Sequence, residues 1–161
     1  MTEYRIPQYC ILVRHGRYHT YAVTDETREL TETGREEIRR MADHLAGREI
    51  GVRRILHSGK MRARQTAEIF AACFGVACIT ESRGLRPEDD PEALIRSIQA
   101  QSESTLMVGH LPLLDRVAER MSALAAYPGP LSFPQGGALC LIRNENGLQV
   151  DRMITPDMLR A

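Results

Sequence analysis

The chain has 161 residues, of which 43% are hydrophobic, and its 21 Lys+Arg residues balance 21 Asp+Glu residues. It contains no run of about 18 apolar residues that could span a bilayer, so we expect one globular domain over residues 1–161 and no membrane protein. A net charge of +0 excludes the broad basic surface that holds nucleic acid, and no local basic patch replaces it.

Short apolar runs bounded by turn residues alternate with segments of helical periodicity along the chain. The predicted strands are residues 9–13, 54–57, 76–80 and 105–108, followed by a terminal pair at 138–142 and 150–154. The predicted helices are residues 33–46, the segment from Ser58 to Gly75, a short helix around 94–98, and residues 113–125. A Pro/Gly-rich loop is expected at 128–137.

This alternation predicts the fold class. Strands that alternate with helices form right-handed crossovers, and these produce a largely parallel sheet with helices on both faces. We therefore expect a single three-layer α/β domain. The ends of two helices are also predicted: Thr33 and Glu36 have the spacing of a capping box, and Ser58 is the candidate N-cap of the second helix.

The residues that directly follow three of the predicted strands carry the chemistry. In parallel sheets the ligand binds beyond the carboxyl ends of the strands. Arg14 and His15 follow the first strand, Arg62 follows the second by a few residues, and His110 follows the fourth. The fold therefore predicts that two arginines and two histidines meet at one edge of the sheet.

These residue types suit a phosphoryl group. An arginine presents a planar fork of donors to phosphate oxygens, and a neutral imidazole is a nucleophile toward phosphorus. His110 comes at the start of a helix, where free backbone amides favour an anion. We therefore predict a cationic pocket for a phosphate ion or phosphoryl group and a phosphoryl transfer through His15.

Four ordered sequence motifs resemble those of the histidine phosphatase superfamily, and in particular its short SixA-like branch of phosphohistidine phosphatases. The matching runs are LVRHG at 12–16, LTETG at 30–34, SGKMRARQT at 58–66 and GHLP at 109–112, with PQGGA at 134–138 before the last strands. The resemblance covers nearly the whole chain and implies a phosphoglycerate mutase-like fold.

The resemblance also implies roles for individual residues. His15 would be phosphorylated during turnover, Arg14, Arg62 and His110 would hold the phosphoryl group, and neither a metal nor another cofactor would be required. The histidines and cysteines show no metal-ligand spacing. Because neighbouring positive charges disfavour a second one, we expect the pKa of His15 to be lowered.

The residue that would protonate the leaving group is not assigned. The segment after the third strand is short, and Glu81, Glu88 and Asp89 are only candidates. An imidazole leaves more readily than an alkoxide, so this gap favours a phosphohistidine substrate. The short segment also predicts an open pocket with little lid, which suits a phosphorylated side chain on a protein partner.

Several alternatives stay open at the level of the sequence. One is a phosphatase of the same superfamily that acts on a small phosphomonoester, and another is a non-catalytic module that binds phosphate. A mutase is disfavoured because the short chain has little with which to enclose a site. His57 is interpreted as a packing or rim residue and Arg17 as a solvated loop arginine. The sequence does not indicate an oligomeric state.

The expected location is the cytoplasm. The N-terminus lacks the basic, apolar and small-residue order of a signal peptide. The four cysteines form no CxxC pair, which is typical of reduced thiols in a reducing compartment.

Overall fold

The computed structural model describes residues 7–125 and 131–160, and in these residues six strands form one sheet. The strands are β1 (Tyr9–Arg14), β2 (Arg54–His57), β3 (Thr80–Glu81), β4 (Thr105–Gly109), β5 (Ala138–Asn144) and β6 (Gly147–Ile154). Four α-helices accompany them in the same described ranges: α1 (Glu32–Ala46), α2 (Met61–Phe74), α3 (Pro91–Ala100) and α4 (Leu113–Ala125). Short 3-10 turns lie at Asp25–Thr27 and Pro156–Leu159.

The order of the strands in the sheet is β3-β2-β4-β1-β5-β6. The first four strands are parallel to one another, whereas β5 is antiparallel to β1 and β6 is antiparallel to β5. The predicted mostly parallel α/β sheet with a terminal strand pair is therefore confirmed. Because β1 and β2 both border β4 and run parallel to it, the carboxyl ends of the three strands lie at the same edge of the sheet.

The side chains of the central strands alternate between two apolar layers. On β1, Ile11 and Val13 pack with α1 and α2, whereas Cys10 and Leu12 pack with α3 and α4. All four are at most 1% exposed. This alternation with period two is what a sheet covered on both faces requires, and it confirms the three-layer arrangement.

The predicted helix caps are wrong at both positions. Helix α1 begins at Glu32, and the hydroxyl of Thr31 accepts a hydrogen bond from the backbone N–H of Gly34 at 3.0 Å. Thr33 lies inside the first turn, because the extended backbone of a cap occurs two residues earlier than predicted. Helix α2 begins at Met61, and its N-cap has no side-chain hydrogen bond, so Ser58 does not cap it.

The third strand is shorter than predicted and shifted toward the C-terminus. Only Thr80 and Glu81 pair with β2, whereas residues 76–80 were expected to form the strand. The side chains of Val76 and Ile79 are partly buried against the core. This packing accounts for the apolar residues at these two positions, although the positions do not pair with β2. The part of the predicted loop at 128–130 lies outside the described residues.

No helix within residues 7–125 and 131–160 is both long and apolar enough to cross a bilayer. The four cysteines all belong to these ranges, and none of them forms a disulfide.

Candidate active site

The backbone around His15 is held from both neighbouring strands. The N–H of His15 donates to the carbonyl of Gly109 at the end of β4, at 3.2 Å. From the other side, the N–H of Gly136 donates to the carbonyls of His15 and Arg14, at 2.9 and 3.0 Å. His15 is only 4% exposed. The sheet therefore fixes this residue before any side-chain contact is considered.

The ring of His15 is oriented by one hydrogen bond. Its Nδ1 lies 2.9 Å from the carbonyl oxygen of Gly16. Since a carbonyl can only accept, Nδ1 carries the ring proton and Nε2 keeps a lone pair in the neutral ring. This tautomer is the one that a nucleophilic Nε2 requires.

The pKa of His15 is lowered to about 4. Burial is the largest cause, and the charges of Arg62 and Arg14 act in the same direction, against the hydrogen bond to Gly16 and the charge of Asp25. The predicted lowering is confirmed, but burial contributes more to it than the neighbouring charges on which the prediction rested. The ring is therefore neutral at pH 7.

The second histidine, His110, lies beside the first, with 4.9 Å between the ring centroids. Its Nε2 is 2.6 Å from the hydroxyl of Ser58, and that hydroxyl accepts the backbone N–H of Lys60 at 3.3 Å. The hydroxyl can donate to Nε2, and with that direction of the bond the ring proton of His110 lies on Nδ1. Ser58, assigned from the sequence as a helix cap, instead orients this histidine.

Burial, followed by the positive charges of His15, Arg62 and Lys60, lowers the pKa of His110 to about 2. The Nδ1 atom is buried and has no hydrogen-bond partner. His110 is therefore a neutral donor that faces away from Ser58.

The two predicted arginines each keep one buried donor without a partner. Arg14 donates from Nη1 to the carbonyl of Phe133 at 2.9 Å, and its Nε has no partner. Arg62 donates from Nη1 to the backbone carbonyl of Asp25 at 2.9 Å, its guanidinium lies 4.6 Å over the ring of Tyr18, and its Nε has no partner either.

These orphaned donors define an anion site. Four buried side-chain nitrogen or oxygen atoms lack a partner in the described part of the chain, and three of them belong to Arg14, Arg62 and His110. Leaving a buried donor unsatisfied costs about 1–3 kcal/mol, and more for a charged group. A tetrahedral oxyanion beside His15 can accept from all three residues. The structure thus places His110 beside the ring of His15, and the charges of Arg14 and Arg62 both act on that ring.

Thr66, the last residue of the SGKMRARQT run, connects the nucleophile loop to α2. Its hydroxyl accepts the N–H of Gly16 at 3.1 Å and donates to the carbonyl of Arg62 at 2.8 Å. Thr66 follows Arg62 by one helical turn, which is the spacing that lets one side chain serve both contacts.

The LTETG run acts through packing. A Cβ added at Gly34 would lie 2.2 Å from the carbonyl oxygen of Arg17, so only glycine lets the first turn of α1 approach the nucleophile loop this closely. Next to it, the side-chain carbonyl of Gln65 accepts the N–H of Leu30 at 2.8 Å. This motif therefore shapes the pocket without touching the reaction centre.

The structure does not bring the three candidate acids to His15. The hydrogen bonds and ion pairs within the described ranges link none of Glu81, Glu88 or Asp89 to that residue, and Asp89 instead accepts the backbone N–H of Arg86 at 2.8 Å. The carboxylate near the reaction centre is Asp25, which the sequence reading missed. Hydrogen bonding from Lys60 is the main cause that lowers its pKa to about 2, so it is ionised at neutral pH.

The segment after β1 also contributes to the site. The ring of Tyr18 lies against that of His15, with 5.1 Å between centroids and a T-shaped arrangement, and Asp25 contacts Arg62. The expectation of a pocket with little lid considered only the segment after the third strand.

The two residues left outside the predicted site have partners of their own. Arg17 is ion-paired, since its Nε donates to the carboxylate of Glu37 at 2.7 Å, and that glutamate is only 5% exposed. The arginine side chain is 52% exposed, so Arg17 is solvated, as predicted, and is also ion-paired within the chain. His57 accepts the backbone N–H of Gly59 at its Nδ1, at 3.0 Å, which is a structural contact.

Comparison with known proteins assigns the family. The model of the histidine phosphatase superfamily, branch 1, matches residues 10–86. The phosphohistidine phosphatase SixA of Escherichia coli (strain K12) is 33% identical over 108 residues, which cover 64% of this chain and 67% of that protein. The chain belongs to the histidine phosphatase superfamily.

Solved structures agree with this assignment. A protein histidine phosphatase SixA complexed with tungstate superposes with a TM-score of 0.84 at 26% identity, and covers 95% of this chain and 100% of its own. A SixA homologue from Agrobacterium tumefaciens gives 0.78 at 27% identity, with 94% and 100% coverage. This histidine phosphatase is accordingly a SixA-like phosphohydrolase with the phosphoglycerate mutase-like fold predicted from its sequence.

Proposed function

We propose that this histidine phosphatase hydrolyses phosphohistidine on a phosphotransfer or signalling protein, through a phosphorylated His15 and without a metal ion. Arg14, Arg62 and His110 hold the transferring phosphoryl group. The observation that carries the proposal is the neutral His15 ring, with its proton fixed on Nδ1 by Gly16, beside three residues with unpartnered buried donors.

In the first step, Nε2 of His15 gives its lone pair to the phosphorus of the substrate. The phosphorus–nitrogen bond of the substrate breaks, and its electron pair returns to the substrate imidazole. The donors of Arg14, Arg62 and His110 stabilise the charge on the equatorial oxygens. Because the proton of His15 stays on Nδ1, hydrogen-bonded to the carbonyl of Gly16, the phosphorylated ring is cationic and is itself a good leaving group.

In the second step, water attacks the phosphorus of phosphorylated His15. The bond between phosphorus and Nε2 breaks, and its electron pair returns to Nε2. One proton of the water stays on the released phosphate as its hydroxyl, and the other passes to a phosphate oxygen or to solvent. The ring returns to its neutral form, since burial and the two arginines oppose a lasting positive charge.

The substrate class follows from the chemistry of the leaving group. A phosphohistidine that carries a proton on its other ring nitrogen leaves as neutral imidazole, so no protein acid has to supply a proton. Asp25 is ionised, Asp89 accepts the backbone N–H of Arg86, and within the described ranges no hydrogen bond or ion pair links Glu81 or Glu88 to His15. A site that lacks a protonated acid favours imidazole over an alkoxide as the leaving group. The similarity to E. coli SixA, a phosphohistidine phosphatase by name, supports the same class.

The test compares two substrates and two matched variants. Phosphate release is measured from a phosphohistidine-bearing phosphotransfer domain and from an aryl phosphate, with chelator present. His15→Asn keeps a donor near the position of Nδ1 but has no nucleophilic ring nitrogen. His57→Asn, at the end of β2, keeps an acceptor for Gly59 and serves as the control.

We expect the wild type and His57→Asn to release phosphate from phosphohistidine in the presence of chelator, and His15→Asn to release none. A base-stable phosphoenzyme trapped by rapid quench would place the phosphoryl group on His15. Turnover that stops with chelator contradicts the metal-free mechanism. Turnover of the aryl phosphate alone would leave the nucleophile in place and make a small phosphomonoester the substrate. Phosphate binding without any turnover would make the pocket a binding module.

A further inference from the structure

Lys60 is a nearly buried cation that the proposed reaction does not yet use. Its side chain is 11% exposed, although lysines are almost never buried without a partner. It precedes α2 by one residue, so its ammonium group shares the pocket edge with Arg62. Its charge also reaches His110, where it contributes to the lowered pKa.

The partner of Lys60 is the carboxylate of Asp25. One oxygen, Oδ2, accepts a hydrogen bond from the ammonium of Lys60 and lies 3.4 Å from Nη2 of Arg62. The other oxygen, Oδ1, lies 3.3 Å from Nη1 of Arg62. The carboxylate thus bridges the two cations, as an anionic ligand of the pocket would.

The segment that carries Asp25 is held by polar contacts and not by apolar packing. The 3-10 turn Asp25–Thr27 has no side-chain cap and no buried residue, and the side chain of Asp25 is 45% exposed. The backbone carbonyl of Asp25 accepts from Arg62, and the carboxylate of Glu26 accepts from both terminal nitrogens of Arg86 at 2.9 and 3.1 Å and lies 3.7 Å from Nζ of Lys60. These contacts hold the turn while the partly exposed carboxylate of Asp25 moves into water.

We propose that Lys60 is a further phosphoryl-binding residue, and that Asp25 occupies the anion position on Lys60 and Arg62 until the substrate phosphoryl group displaces it. The proposal rests on the proposed function for its substrate. A phosphoryl group presents three oxygens and up to two negative charges, so it competes for these cations more strongly than one carboxylate. On displacement, Arg62 turns its fork from Asp25 to the phosphoryl oxygens.

Binding of inorganic phosphate tests the proposal without turnover. Isothermal titration calorimetry compares the wild type with Asp25→Asn, Lys60→Met, the double variant, and Glu26→Gln as the matched control. Methionine keeps the length of the lysine stem, and thermal melts establish that each variant is folded. Lys60→Gln serves as a second variant if Lys60→Met does not fold.

The expected changes have opposite signs. Two partly exposed ion pairs compete with phosphate in the wild type, so Asp25→Asn should bind it about fivefold more tightly. Lys60→Met loses a charge-assisted contact and should bind about tenfold more weakly. In the double variant, Asp25→Asn should increase the affinity for phosphate by a smaller factor, because Lys60→Met has already removed the ion pair between Lys60 and Asp25. Glu26→Gln should bind phosphate less than about twofold more tightly, because Glu26 pairs mainly with Arg86 and its Oε1 lies 3.7 Å from Nζ of Lys60.

Unchanged affinity in Lys60→Met would overturn the proposed role of Lys60. If Asp25→Asn and Glu26→Gln increase the affinity for phosphate equally, the increase comes from loosening the turn and not from removing the competing carboxylate of Asp25. The proposed function fails separately: if the wild type releases no phosphate from phosphohistidine while these affinities change as expected, the anion site stands and the substrate assignment falls.

Discussion

Acidification should destabilise this phosphatase through its buried histidines. In the folded chain the pKa of His15 is about 4, against an ordinary value of 6.5. A group whose pKa is lowered on folding binds more protons in the unfolded chain at any pH near or below 6.5, so protonation favours unfolding. His15 therefore leaves the free energy of unfolding almost unchanged above about pH 7 and lowers it as the pH falls below about 6.5.

The size of this loss follows from the two pKa values. At pH 7.5 the ring is neutral in both states and contributes almost no difference. At pH 5 the unfolded ring is mostly protonated and the folded ring is mostly neutral, so His15 alone lowers the free energy of unfolding by about 2 kcal/mol. His110, with its pKa lowered to about 2, adds a similar loss over the same range.

Urea unfolding at pH 7.5 and pH 5 measures the effect. His15→Asn removes the titrating ring, so its loss of unfolding free energy between the two pH values should be about 2 kcal/mol smaller than that of the wild type. His44→Asn, on the exposed side of α1, controls for the removal of a histidine. Its free energy of unfolding should fall between pH 7.5 and pH 5 by as much as that of the wild type. An NMR titration of the His15 ring reads the same pKa directly.

Two results would refute this reasoning. A His15 ring that titrates above pH 7 would mean that burial and the arginines do not control it. An equal pH dependence in the wild type and His15→Asn would mean that other groups carry the acid sensitivity. Either result would also remove the argument that the nucleophile is uncharged at neutral pH.

Two further substitutions test how the nucleophile loop is held. Thr66→Val removes the acceptor of the Gly16 N–H. We therefore expect kcat, measured by aryl phosphate turnover, to fall about tenfold. The free energy of unfolding, measured in urea, should fall by about 1–3 kcal/mol. An unchanged kcat would show that the bond does not position the loop. Gly34→Ala places a Cβ 2.2 Å from the carbonyl oxygen of Arg17 and should cost about 1–3 kcal/mol or more, whereas at Gly51 an added Cβ meets nothing within 4 Å. Equal melting temperatures of Gly34→Ala and Gly51→Ala would contradict the close approach.

The parts of the fold that the sequence predicts are those that depend on local pattern. The apolar run at 105–108 lies in the strand β4, and the periodic segment 113–125 coincides with α4, because burial on one face repeats at a fixed spacing. His15 and His110 follow strand ends, where parallel topology places them at one edge of the sheet. Position after a strand was therefore enough to propose them.

The remaining features depend on contacts between distant segments. Asp25 reaches Lys60 and Arg62 across 35 and 37 positions, through a turn without periodicity. Ser58 lies 52 positions from the histidine that it orients. Thr31 and Thr33 are the same residue type two positions apart, so composition alone does not distinguish the cap from a residue within the first turn.

The backbone bonds that immobilise the nucleophile come late in the chain. Two of the carbonyl contacts that fix the loop of His15 are supplied by the N–H of Gly136, far along the chain. A polypeptide emerging from the ribosome exposes His15 before the segment that holds it has been made. The loop of His15 is therefore fixed only after β5 has been synthesised and has paired with β1.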